Sequence, residues 1–460
     1  MAPRTAATRW EEDSLGRIRV PRSALWGAQT QRALANYPIS GQRAAPALIA
    51  AYGWLKWALA GANTAAGELP PGIGRAIQRA AREVAEHRLD AQFPVDVFQA
   101  GAGVSFHMNV NEVIANRAQE LLGGERGVYD CVHPNDHVNR GQSTNDTFPS
   151  ALRIALRLEM DRLQPAVAEC AEAFRRKGVA FAAIVKSGRT HLQDAVPMHL
   201  GQEFAAYAVT LDAAGRELSH AGAGLLELGL GGSAAGTGLN VNPHVTRRAL
   251  RLLGEQTGHR WLQAGDLCAA MQSQFPVSVT SAAMRNLALE LIRISNDLRL
   301  LSSGPRTGLH EIILPALQPG SSIMPGKINP VMPEMLAMVA FQVVGNDTAA
   351  ALALQAGQLE LNVMMPAMAL ATLQSAGILT NALRQFTRLC VRGIRADAAR
   401  CRAYAAHTLS TATALNPYIG YHRTAELVQE ALRSNRPLLD LALEKKLLPP
   451  RQLRRLLTPQ

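Results

Sequence analysis

The chain has 460 residues, 48% of them hydrophobic but only 5% aromatic, and a formal net charge of +11. That length allows two or three domains, and the Ala- and Leu-rich, aromatic-poor composition favours helix over sheet. The basic residues are scattered in short clusters such as Arg175–Lys177 and Lys445–Lys446, without interleaved aromatics, which argues against nucleic acid as a partner and leaves a general attraction for acidic small molecules.

Residues 1 to about 45 carry Pro, Gly and polar residues and read as irregular, with room for short strands. The leading MAPRTAATRW lacks the apolar core of a secretory leader. Helices are expected over 46–68, stopping before Pro70 and Pro71, and over 73–87. The Gly-Ala-Gly turn at 101–103 should lead into a helix beginning near Asn109, whose free backbone donors would suit a carboxylate. The stretch HPNDHVNRGQSTNDTFP (133–149) is dense in side-chain donors and acceptors. His133, Asp136 and His137 are metal-type ligands, but Pro134 breaks the regular helix that would align them, and no metal is expected.

A helical pattern runs from about 148 to 180 and is interrupted by GRTHLQDAVP (188–197), which sets Arg189, Thr190 and His191 between apolar helices. Another helix is expected over 197–228. The glycine-rich 229–240 superficially resembles a phosphate loop, yet it lacks GxxxxGK[ST] spacing and follows a helix. It reads better as a close-packed turn, with Thr237 and Asn240 as polar candidates. Further helices are expected over 275–302, over 330–356 and on to about 395, with a smaller helical unit after that. The 330–356 segment carries only two charges, Glu334 and Asp347, so it must be buried on most sides. Gln342, Asn346 and Asp347 argue against lipid, and no run reaches the roughly 18 to 20 consecutive apolar residues of a membrane span. The five cysteines (131, 170, 268, 390, 401) show no Cys-x-x-Cys pair or Cys/His cluster, so free thiols in a reducing cytoplasm are the simplest reading. The expected division is 1–140, 141–395 and 396–460.

The stretch most suggestive of chemistry is GSSIMPGKINP, Gly320–Pro330. Two glycines and two prolines exclude a regular helix or strand there, and between them sit Ser321, Ser322, Lys327 and Asn329. By composition alone this is a connector. Its order, GSSxMPxKxNP, resembles the signature loop of the aspartase/fumarase superfamily. Four other stretches resemble that family in the same order: QAGAG…MNVNEVIANRA (99–118), HPNDHVNRGQSTNDTFP, GRTHLQDAVP and GLGGSAAGTGLN. The likeness runs from RVPRSALWGAQTQRAL to ALNPYIGY, nearly the whole chain.

The resemblance implies a mainly α, three-domain fold with a long central helical bundle, assembled as a homotetramer with a roughly twenty-helix core and active sites shared between three subunits. It implies anti elimination of a group from Cα with loss of a Cβ proton. Ser321 is then the general base, and Lys327 and Asn329 grip the α-carboxylate. Asn145, Thr190 and His191 cradle the leaving group, with His191 polarised by Glu334. Ser143, Thr144 and Ser322 hold the Cβ substituent. The 104–109 region, with Ser105, Phe106, His107 and Asn109, contributes to the substrate site. The chemistry requires no cofactor. Aspartases commonly carry TSxNMN where this chain has Val104-Ser105-Phe106-His107-Met108-Asn109, so Val104 replaces a carboxylate-binding threonine and His107 an asparagine. Read without the family, Phe106 is core and His107 a packed or surface histidine. QAGAG and GQSTND resemble aspartases more than fumarases, which favours release of ammonia or a substituted amine from a 2-amino-carboxylate, and the departure at 104–107 disfavours ordinary L-aspartate. An ergothionase-like trimethylamine lyase, a fumarase-type hydro-lyase and a non-catalytic structural homologue remain as alternatives.

Overall fold

The computed structural model describes residues 7–458. Residues 1–6, the head of the stretch read above as lacking a secretory leader, lie outside the described residues. The first elements are an antiparallel hairpin, β1 (Thr8–Asp13) and β2 (Gly16–Pro21), and a helix α1 (Ala28–Asn36). The short strands for which this region had room are present, and a helix follows them. Two buried carboxylates hold it: Glu112 accepts the backbone N–H groups of Gly27, Gln29 and Thr30 at the start of α1, and Glu11 accepts that of Ala28. A carboxylate at a helix N-terminus satisfies donors that have no intrahelical partner.

Helices α2 (Pro46–Ala65) and α3 (Pro71–Ala85) each begin on a proline, which lacks the N–H that would go unpaired there. Helix α4 (Val104–Leu121) starts five residues before the expected Asn109. Gly103 makes the early start workable: it has φ +94°, and a Cβ there would lie 2.1 Å from Phe148. The 133–149 stretch is also more regular than expected, with a short π-helical turn at Pro134–Val138 and helix α5 (Thr144–Ala180). Proline is tolerated at the first position of such a turn, so Pro134 opens it rather than preventing it.

GRTHLQDAVP lies in an antiparallel hairpin, β3 (Val185–Thr190) and β4 (Gln193–His199). Then come α6 (Leu200–Ala223), α7 (Pro243–Thr257), α8 (Leu267–Gln272), α9 (Phe275–Leu301), α10 (Val331–Gln355) and α11 (Met365–Leu389). A two-residue strand, Glu227–Leu228, separates α6 from the glycine-rich turn and pairs in parallel with Leu262–Gln263. Short helices between Ala398 and Leu457 pack their own core around Leu415, Leu427, Leu441 and Leu453.

The contacts group the chain into two units, each drawn from several segments. One comprises Met1–Pro165, Arg216–Ala288 and Ala340–Thr380; the other comprises Ala166–Gly215, Leu289–Val339 and Asn381–Gln460. Helix α10 is long and apolar enough to cross a membrane by composition alone. Two of its polar residues, however, are tied to other helices of the first unit. Asn346 donates to Gln374 and Ser375, and Asp347 pairs with Arg285.

Candidate active site

Ser321 to Asn329 form an exposed loop in the second unit, tied mainly to itself. The Gly320 N–H donates to the Lys327 carbonyl at 2.8 Å, and Asn329 Nδ2 donates to the Gly320 carbonyl at 2.6 Å. A Cβ on residue 320 would sit 2.5 Å from that Lys327 oxygen, so the closure requires glycine. Within the closed loop, Ser321 Oγ accepts the backbone N–H groups of Ile323 at 3.2 Å and Met324 at 3.0 Å. Two donors aimed at one hydroxyl oxygen are what a developing alkoxide needs. Ser322 and Lys327 are exposed; Asn329 is half-buried and partly committed to the loop's own closure.

Thr190 and His191 sit exposed at the tip of the β3–β4 hairpin. His191 and Leu192 form its two-residue turn, with φ +56° and +59°. Two positive φ values mark the tight hairpin turn that usually selects Asn-Gly, so this tip holds side chains in a costly conformation. The base of the hairpin is anchored in the interior. Arg189 and Lys186 both pair with Glu311, which is fully buried, at 2.9 and 3.1 Å, and Lys186 also pairs with Glu203. Glu334 is half-buried in the first turn of α10. Among the described residues of a single chain, no hydrogen bond or ion pair joins it to His191.

In the first unit, Ser143, Thr144 and Asn145 are half-buried at the start of α5. Ser143 Oγ accepts the Asn145 N–H, and Asn145 Nδ2 reaches the carbonyl of Ala234 in the glycine-rich turn. Asp146, 1% exposed, ties the same two segments by accepting the backbone N–H groups of Ser143, Gly231 and Ser233, each at 3.1 Å. Burial pushes its carboxyl up to about 6, against the pull of those amides and of Lys56. The glycine-rich turn thus packs against the site residues, while Thr237 and Asn240 themselves are exposed.

The 104–109 region is less open than its motif suggests. Ser105 is half-buried and Val104 exposed, but Phe106, His107 and Asn109 are interior. Phe106 packs edge-on against Tyr52 and lines a largely apolar cavity of about 220 Å³ with Val95 and Phe148. Asn109 Nδ2 donates to the Gln92 carbonyl. His107 bridges two polar groups: its Nε2 is 2.8 Å from Lys56 Nζ, and its Nδ1 is 2.7 Å from Thr144 Oγ1. Burial holds the His107 imidazole well below its usual value, reinforced by the Lys56 charge. Every side chain from Phe106 to Asn116 is buried, so this part of α4 is enclosed on all its faces, and an expectation of contact drawn from motif position alone does not register that.

Three residues missed in the sequence organise these sites: Lys56, Asp146 and Glu311. Lys56 left the clearest signal, as the only charged residue in α2. A separate polar cavity of about 550 Å³ lies beside the Ser143–Asn145 segment, lined by Asn63, Glu68, Arg140, Asp146 and Ser233. Among the described residues, no group of three or more His, Cys, Asp or Glu side chains is arranged to hold a metal ion.

The second unit thus carries an exposed loop with two backbone donors on the Ser321 hydroxyl, and the first unit a cluster of hydroxyls and an amide at the start of α5. A family model described as Lyase matches residues 16–345, and one described as Fumarase C C-terminus matches 412–460. The chain is 44% identical to an aspartate ammonia-lyase of Bacillus sp, over 98% of this chain and 96% of that one. It is also 44% identical to a class II fumarate hydratase of Bordetella parapertussis, over 95% and 94%. The fold matches a fumarate lyase:delta crystallin from Brucella melitensis with TM-score 0.94 and 45% identity, over 98% and 99% of the two chains. The chain belongs to the aspartase/fumarase superfamily and is a lyase of that superfamily.

Proposed function

We propose that the protein is a carbon–nitrogen lyase. It removes a Cβ proton and releases ammonia or a substituted amine from a 2-amino-carboxylate other than L-aspartate. The observation that carries the elimination is the pair of backbone donors on Ser321 Oγ, which favours the serine as base. Lys327 and Asn329 bind the α-carboxylate. Asn145, Thr190 and His191 hold the leaving amine, and Ser143, Thr144 and Ser322 hold the Cβ substituent. Glu334 polarises His191, supplied by a different copy of the chain. A homotetramer sharing its sites in the cytoplasm fits the exposure of Met338, Phe341 and Leu352 along α10, at 62%, 57% and 60%, since such apolar side chains are ordinarily covered.

Amine release is favoured over hydration by GQSTND and QAGAG. The exclusion of aspartate rests on Val104, which brings a methyl group to the helix start where aspartases carry a hydroxyl. Phe106 and His107 are interior, so they lend no support to a pocket for an ergothioneine-like ring. A second reading, malate/fumarate interconversion, draws on the class II fumarate hydratase relatives. Offering L-aspartate, L-malate, argininosuccinate and ergothioneine to the purified protein in parallel, and identifying what is released, tests the proposal. Turnover of malate alone supports the second reading; fast aspartate turnover removes the substrate claim. Val104→Thr is expected to raise kcat/KM for L-aspartate about 10- to 100-fold, the worth of one hydrogen bond to a charged group. An unchanged substrate ranking would sink the pocket argument.

A further inference from the structure

Behind Ser143–Asn145 lie two buried polar groups that the elimination does not use directly. Lys56, 1% exposed, has three acceptors around its nitrogen: His107 Nε2 at 2.8 Å, Gln142 Oε1 at 2.6 Å and Asn139 Oδ1 at 3.2 Å. An ammonium group has three donors and no acceptor, so this set satisfies it completely and makes Nε2 of His107 an acceptor. A neutral imidazole accepting at Nε2 carries its hydrogen on Nδ1. That atom is 2.7 Å from Thr144 Oγ1, so it donates there. The Thr144 hydroxyl, with its oxygen accepting from the imidazole, keeps its own hydrogen for a partner outside the cluster.

We propose that Lys56 and His107 are positioning residues that hold the Thr144 hydroxyl as a hydrogen-bond donor toward an acceptor group on the Cβ substituent of the substrate. This rests on the reading that Thr144 contacts the substrate, and it deepens that reading: the substituent is an acceptor, such as a carboxylate or a heteroatom with a lone pair, not a bare hydrocarbon. The chain of contacts also has a direction that depends on charge. If Lys56 loses its proton, its nitrogen gains a lone pair, the imidazole hydrogen is stable on Nε2, and Nδ1 becomes an acceptor that draws the Thr144 hydrogen inward. The groups facing the pair are Asp146, whose negative charge favours the ammonium, Tyr52, whose ring stacks on His107 at 5.6 Å, and the Thr147 hydroxyl at 3.5 Å from Nε2. Burial lowers the Lys56 ammonium well below its usual value, so the donor is lost at a lower pH than for a surface lysine. Substrate capture should therefore fall on the alkaline side.

The test has two arms. In the first, ¹⁵N spectra of histidine-labelled protein are compared with those of His107→Asn, which assigns the His107 signal. A neutral imidazole protonated at Nδ1 is expected, with the proton moving to Nε2 in Lys56→Met. Protonation at Nε2 in the wild type overturns the proposal, and this readout requires no substrate. In the second, kcat/KM is measured for whichever substrate is turned over. Lys56→Met and Thr144→Val are each expected to lose about 10- to 100-fold, the worth of a hydrogen bond to a charged group. The loss should fall mainly in KM, and the double variant should lose no more than Thr144→Val alone. Additive losses would show that Lys56 does not act through Thr144. His107→Asn, which keeps a donor amide, should stay within a few-fold of wild type where His107→Leu does not. Failure to release any amine would sink the functional reading while leaving the spectral result to decide the positioning one.

Discussion

The Ser321 loop and the Ser143–Asn145 cluster are built from the same parts. Each has two adjacent hydroxyls, one lysine and one asparagine: Ser321, Ser322, Lys327 and Asn329 in the loop; Ser143, Thr144, Lys56 and Asn145 in the cluster. Their surroundings differ completely. Lys327 is exposed on a loop held mainly by its own backbone, whereas Lys56 is buried with a full set of acceptors. A group that does the bond-breaking must reach a substrate and be covered when it does. A group that orients a substrate works best when its own geometry is settled beforehand. The base on an exposed loop, and a half-buried cluster oriented from behind by the buried Lys56, is the division this contrast suggests.

The largest test of that division is Ser321→Ala. Removing the base should lower kcat by about 10²- to 10⁴-fold with little change in thermal stability, because the loop buries almost nothing. Turnover near the wild-type value in a steady-state assay would mean the base lies elsewhere. Glu311→Ala should do the opposite. It leaves Lys186 and Arg189 without their buried partner, a loss of about 3–5 kcal/mol in stability, readable by denaturant unfolding. A loss below about 1 kcal/mol would show that the hairpin does not depend on this anchor.

Glu112 provides a pH test. Burial raises its carboxyl from 4.5 to about 7 despite the amides of α1 that it accepts. The folded state therefore holds this proton more tightly than the unfolded chain. The resulting stabilisation is full below about pH 4.5 and is lost as pH rises towards 7. Its size is on the order of 3 kcal/mol, and Glu112→Gln should flatten the stability–pH slope in that window. An identical slope in both proteins would remove the account. The smallest effect belongs to the hairpin tip. Leu192→Gly should stabilise the second unit by roughly 0.5–1 kcal/mol, by relieving a positive φ that a branched side chain tolerates poorly. Destabilisation in a thermal scan would mean Leu192 packs against something in the assembled protein.

The helical class, the long helices and the loop were legible because they rest on local signals: Ala and Leu content, proline at helix starts, and glycine with proline in a short run. The β3–β4 hairpin was not, because His191-Leu192 is not a turn pair that announces itself, and only the backbone shows both residues at positive φ. The interior position of Phe106, His107 and Asn109 was also hidden. Their motif suggested proximity to substrate, but α4 is buried on all its faces from Phe106 to Asn116, and the segments that cover it, such as those of Tyr52 and Phe148, are distant in sequence. Lys56 was visible as a lone charge in an apolar helix, yet its partners His107, Asn139 and Gln142 come from segments 51 to 86 residues away. No local pattern encodes such a meeting.

Elimination of an amine is the step on which the proposed function turns. Its most direct test follows one reaction mixture by two readouts at once: ultraviolet absorbance for the new carbon–carbon double bond and chemical identification of the released group. Double bond and amine should appear in equal amounts from a 2-amino-carboxylate, and both should vanish together in Ser321→Ala. A double bond formed from L-malate with no amine released from any amino acid offered would contradict the proposed function.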